Sequence, residues 1–409
     1  MSKRGVCAFA RRMIWSHPTG IGSSLVVEQP AVLWRREPFR LFFPLGVLLA
    51  WVGIGHWLLY GLGITRTYSC LFHGLVQMQA FMMAFAVGFL MTALPRRTQA
   101  PPPSRMEMAS AVAALLTTTI AAAREWLWLA EAAYGFLFLL LLQFAVRRFI
   151  GGSGARRPPA AFILIPIGML HGLAGAALIA ASAFRSAPAW FIGLGRLLVE
   201  QGVFLCFVIG IGGLVLPLMA GAPAPPDLGS DPQQACKAFA YAGAGLLLFT
   251  SFVLESSGWA RGGPLLRAVV VTLGVGLAAG ATRTPGKPGA HRRLVWLSVW
   301  LMPVGLVVSA LWPDFRVAAL HILFIGGFSL MAFGVATHVV LSHLDLGNLA
   351  LGRPPAVIIV GVAFLLALLA RLAADASNTY FDHLAWAAAM WLIGSAVWLG
   401  FVGAKLLRA

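Results

Sequence analysis

Two histidines in this chain are followed, at the same distance, by the same apolar signature. His73 leads to Met83-Ala84-Phe85-Ala86-Val87, and His321 leads to Met331-Ala332-Phe333-Gly334-Val335. A neutral imidazole offers one nitrogen to a metal while the other keeps a hydrogen-bond partner. Both histidines lie in stretches apolar enough for lipid, where a polar group without a partner is expensive. The chemistry that such a pair suits is metal ligation from two sides. For either histidine alone the plainer alternative is a hydrogen bond to a neighbouring helix. The repeated Met-Ala-Phe-x-Val is equally what two helices with one packing solution would show.

The elements that must carry these residues are set by composition. Of 409 residues, 60% are hydrophobic and only 11% are charged, against about 25% charged in a soluble domain. The chain offers repeated stretches of roughly 20 apolar residues, the length that crosses a hydrocarbon core. The expected fold is all-α, a polytopic membrane helix bundle of about twelve spans. They fall near 41–63, 70–94, 108–123, 126–146, 160–182, 189–219, 238–256, 264–281, 294–312, 317–341, 355–374 and 384–404. Residues 1–38 read as a basic cytoplasmic arm, and 39–409 as one membrane domain, with two halves of six suggested by count alone. No removable leader is expected, because no long apolar run follows Arg11-Arg12.

The net charge of +17 does not point to nucleic acid, since the basic residues sit in short loops between spans. With the N-terminus in the cytoplasm, 22 of the 30 basic residues fall on the cytoplasmic side. Seven fall outside, and Arg196 lies within a span. That bias predicts an even number of spans with both termini cytoplasmic. Cys7, Cys70, Cys206 and Cys236 form no CxxC pair, so neither a disulfide framework nor a zinc site is expected.

On this topology the second and tenth spans run the same way. His73 and His321 then lie about 5–8 Å below the outer edge of the hydrocarbon, at matched depth. Neutral imidazoles on parallel helices suit the two axial positions of a b-type haem. No CxxCH motif is present, which excludes covalent attachment. His56, toward the outer side, and His171, near mid-membrane, are alternative ligands. His338 lies 17 residues beyond His321, about 25 Å along the helix, so the two cannot share a metal. His338 with His343 marks a second candidate metal site. His17, His291 and His383 carry little signal.

Arg196 and Glu200, four apart, can pair on one helix face. The functional alternative gives Arg196 a haem propionate and Glu200 a place in a proton path. Glu131 and Glu255 are isolated acids that would relay protons or hydrogen-bond within the bundle.

Four stretches together resemble the NnrS family of bacterial inner-membrane proteins. They are Pro38-Phe39-Arg40-Leu41-Phe42-Phe43, His73 through Gly88-Phe89-Leu90-Met91-Thr92-Ala93-Leu94-Pro95, Gly212-Gly213-Leu214-Val215-Leu216-Pro217, and Leu320-His321 to His343. The resemblance implies a twelve-helix protein associated with haem and copper and linked to the nitric oxide response. The chain departs from the family at several positions. Where the family reads Trp-His-x-His-Glu, this chain has Phe72-His73-Gly74-Leu75-Val76. Leu214 and His338 stand where the family has arginine, and Ser342-His343-Leu344-Asp345-Leu346 replaces a Gly-His-Thr-Gly-Arg run. The copper expectation suffers most, since a histidine and an acid suited to copper are replaced.

The expectation is therefore a haem b protein of the bacterial inner membrane, its partners lipid, a small gas such as nitric oxide, and membrane or redox proteins. If both axial positions are filled by histidine, the iron favours electron transfer or sensing by ligand displacement. The rivals are a cofactor-free secondary transporter, with Arg196 near an anionic substrate, and a structural subunit of a larger complex.

Overall fold

A computed structural model describes residues 30–151, 157–184, 187–228 and 232–406. Most of the expected basic arm, including Lys3, Arg4, Arg11 and Arg12, lies outside the described residues. From Pro30 a short helix, Pro30–Arg36, leads into the bundle.

Lipid supplies no partner for backbone N–H and C=O groups, so each apolar stretch satisfies them within a helix. In chain order these helices are α1 (Phe39–Gly61), α2 (Cys70–Thr98), α3 (Arg105–Ala123), α4 (Leu127–Ile150), α5 (Ala160–Ser182), α6 (Trp190–Ala220), α7 (Pro232–Ser256), α8 (Gly262–Gly276), α9 (Ala290–Leu311), α10 (Pro313–His343), α11 (Pro355–Ala374) and α12 (Tyr380–Leu406). Eleven are long and apolar enough to cross a membrane. The expected eighth span is the exception. Helix α8 is α-helical for only about 15 Å, over Gly262–Val271, before it loosens into π turns over Thr272–Ala278 and ends near Gly280, whose φ is +73°. The third span begins earlier than expected, because Ser104 and Glu107 close a capping box ahead of the apolar run.

Three helices form the centre. The most apolar windows of α2, α10 and α6 are 78%, 72% and 56% buried, whereas none of the others exceeds 50%. Around them the remaining helices pack in sequence, and α1 closes the ring against α12 and α2. All three central helices contain π-helical turns: Val76–Met82 in α2, Leu198–Gly202 in α6 and Ile322–Ser329 in α10. Such insertions are rare in helices and concentrate at functional sites. The Met-Ala-Phe-x-Val copies meet at the centre, where the Phe85 and Phe333 rings lie 5.4 Å apart. Beside them α1, α2, α6 and α10 line an open apolar pocket of about 110 Å³, bordered by Phe43, Phe85, Phe204 and Phe328 among others.

At the end of the bundle away from His73 and His321, arginines tie helix ends together. Arg40 pairs with Glu37 at 2.6 Å and donates to the Leu406 carbonyl at the end of α12. Arg292 donates to the Met219 carbonyl at the end of α6. Arg148 meets Glu107 and also the Pro101 and Pro102 carbonyls of the proline link. Basic groups at helix C-termini satisfy carbonyls that have no partner within the helix.

Candidate functional site

Helix α2 starts at a Ser69 cap, whose hydroxyl accepts from the Phe72 amide, and His73 follows within the first turn. Its ring Nδ1 lies 2.8 Å from the Gly53 carbonyl of α1. A carbonyl only accepts, so Nδ1 carries the proton and Nε2 keeps its lone pair. Gly53 is small for a reason: a Cβ there would come within 2.9 Å of Val76 Cγ1 on α2. The close approach of α1 to α2 is what brings the Gly53 carbonyl to the ring.

His321 repeats the arrangement within its own helix. Its Nδ1 lies 2.7 Å from the Val317 carbonyl one turn earlier, which again leaves Nε2 available. The His73 and His321 rings lie 6.4 Å apart between centroids, with planes inclined by 15°. Two metal–nitrogen bonds of about 2 Å each, plus two ring half-widths, put imidazole centroids about 6 Å apart across one metal ion. The observed spacing fits that value. The backbone carbonyls play the part of outer partners that fix a ligand's tautomer and orientation.

His56 extends the cluster. Its ring centroid is 6.1 Å from that of His73, and its neighbours include Trp57 and Phe72. Neither nitrogen makes a hydrogen bond of good geometry, although the Gly53 and Ser69 backbones lie close enough to act on the ring. Among the described residues, no three His, Cys, Asp or Glu side chains gather as a metal-ion site.

Two arginines flank the histidines. Arg196 and Glu200 form the pair that their spacing predicts, at 2.7 Å. Glu200 lies over Gly74, where a Cβ would stand 3.1 Å from Oε1, so the ion pair borders His73. Arg371 is 5% exposed, bonds Asp375 at 3.2 Å and has a charge close enough to act on both His73 and His321. Arg371, one of the seven basic residues counted to the outer side, sits within α11 in its last turn. Its position near the end of an otherwise apolar run was the signal that it faces the bundle.

The other predicted residues lie elsewhere. The His171 Nδ1 faces Cys206 Sγ at 3.7 Å, among Phe249 and Phe252. His338 and His343 do not face one another. His338 Nδ1 lies 3.3 Å from Nε2 of His291, a residue that sequence reasoning passed over and that is fully buried. His343 stacks on Phe39 at 4.8 Å, with Nδ1 toward the Val339 carbonyl. Five residues turn a helix by about 500°, which points the two side chains apart. Glu255 is not isolated, since it bridges Arg267 and Arg316.

A family model described as NnrS protein matches residues 33–409. No curated protein matches the chain.

Proposed function

The chain belongs to the NnrS family, and on that premise we propose that it is a haem-binding protein of the bacterial inner membrane, serving the nitric oxide response or membrane redox chemistry. His73 and His321 are the residues that would hold one b-type haem. The observation that carries this reading is the ring pair, 6.4 Å apart, with each Nδ1 committed to a carbonyl. A two-histidine donor set is too small for a structural zinc site but sufficient for a cofactor that would bring further nitrogens of its own.

When bound, haem would supply a one-electron couple and a binding place for a small gas. The protein's own residues do the rest. The Gly53 and Val317 carbonyls hold each imidazole in the tautomer that presents Nε2. Arg371 contributes fixed positive charge beside the pair, which favours an electron added nearby. Arg196, 39% exposed, is the side chain suited to a haem propionate. Copper is a weaker proposal, because Leu75 and Val76 offer no ligand where the family has a histidine and an acid.

An absorption spectrum of detergent-purified protein, expressed with ample haem, tests the reading. A Soret band is expected, lost or strongly reduced in His73→Ala and in His321→Ala but retained in His383→Ala. No band in the parent protein would remove the proposal and leave the transporter and structural-subunit readings, which substrate uptake into vesicles would separate.

A further inference from the structure

Among the described residues, the buried and half-buried acids almost all meet arginine. Glu37 has Arg40 and Arg96, Glu107 has Arg148, Glu200 has Arg196, and Glu255 has Arg267 and Arg316. Glu131, in the second turn of α4 and 1% exposed, has none among the described residues. Its one side-chain partner is Gln79 of α2, fully buried, whose Nε2 donates to both carboxylate oxygens at 2.8 and 2.9 Å. An amide is neutral and cannot offset a full charge, and an uncompensated carboxylate is strongly disfavoured in an apolar interior.

The surroundings hold more polar capacity than they use. Gln79 Oε1 and the Tyr134 hydroxyl are buried without a partner, and Tyr134 lies close enough to Glu131 to feel its charge. Both amide atoms of fully buried Gln201 are likewise unpartnered. Gln79 and Gln201 belong to the π-helical turns of α2 and α6, which pack against one another. On α3 the Thr118 hydroxyl is spent on the Ala130 carbonyl, next to Glu131 in the chain. On α5, His171 is turned toward Cys206. Tyr134 is thus the other titratable group that faces the carboxyl.

We infer that Glu131 is a buried proton-binding site, exchanging its proton with the histidine end of the bundle by way of Gln201 and Glu200. Gln79 serves both protonation states. Its N–H group donates to the ionised carboxylate, and after the amide turns over, its Oε1 accepts from the protonated carboxyl. On release the carboxyl O–H bond breaks, both electrons stay on Glu131, and the proton passes to a water molecule and on to the Glu200 carboxylate. No oxidant or reductant is required. Glu200 borders α2 at Gly74, five residues or about 7 Å of helical rise before Gln79. Water is the ligand such unpartnered buried atoms accommodate. The site is a property of the protein with or without haem, so its test does not depend on the proposed cofactor.

Infrared absorption of the full-length protein in phosphatidylcholine vesicles at neutral pH reads the site directly. The expected result is a protonated-carboxyl stretch that shifts in D2O, is absent in Glu131→Gln, and changes frequency in Gln79→Leu, which keeps the acid and alters its partner. Gln201→Leu is expected to slow the deuterium exchange of that band severalfold. Absence of the band in the parent protein, or its persistence unchanged in Glu131→Gln, overturns the proton site. Unchanged exchange in Gln201→Leu overturns the route.

Discussion

At the scale of single residues, the histidine pair depends on atoms that are not side chains. The Gly53 carbonyl orients His73, and it reaches the ring only because nothing larger than hydrogen separates α1 from α2 there. Gly53→Ala would push its new methyl against Val76, a stiff β-branched residue inside a packed contact. Overpacking of this kind costs about 1–3 kcal/mol, and the strain falls on the hydrogen bond that sets the imidazole. Haem occupancy, read as the Soret-to-protein ratio, is expected to fall in Gly53→Ala and to remain unchanged in Gly55→Ala, where an added methyl meets nothing. Equal occupancy in both would show that the Gly53 contact does not govern the ligand. The approach of His73 to His321 was legible in the sequence because residue type and flanking pattern coincided. Gln79 and His291 were not, since an uncharged amide in an apolar run and a histidine at a span edge carry no distinguishing spacing. Their partners, Glu131 and His338, lie 52 and 47 residues away.

At the scale of elements, helix positions followed from hydropathy because the bilayer leaves a backbone no other way to satisfy itself. The π turns did not, because a one-residue insertion in a helical ladder leaves no mark on composition. The short α8 was read as a full span because its apolar run continues through glycines that end the helix. Helix ends are held by ion pairs of a kind that sequence suggests only loosely. Arg148, on α4, reaches Glu107 at the start of α3 and two carbonyls of the proline link, all at an 8% exposed side chain. Removing one partner of a buried pair strands the other, at a cost of about 3–5 kcal/mol, whereas replacing both with apolar groups is close to neutral. Arg148→Met is therefore expected to lower the midpoint of thermal unfolding in detergent markedly, and Arg148→Met with Glu107→Met to recover most of it. A double variant as unstable as the single one would assign the stabilisation to the carbonyl contacts instead.

At the scale of the whole molecule, the bundle has two unlike ends. One gathers His56, His73 and His321 with Arg371 and the Arg196–Glu200 pair; the other gathers arginines on helix C-termini. Which end faces the cytoplasm decides where a gas, an electron donor or a proton reaches the site. The basic residues favour the arginine end, since cytoplasmic loops of membrane proteins carry the excess of Lys and Arg. Arg66, exposed between α1 and α2, and Arg283, exposed between α8 and α9, report on the two ends. In a background without the native cysteines, Arg66→Cys is expected to react with a membrane-impermeant thiol reagent added to intact spheroplasts. Arg283→Cys is expected to react only after the membrane is opened. The reverse pattern would place the histidines on the cytoplasmic side, and the proton held by Glu131 would then exchange with the cytoplasm.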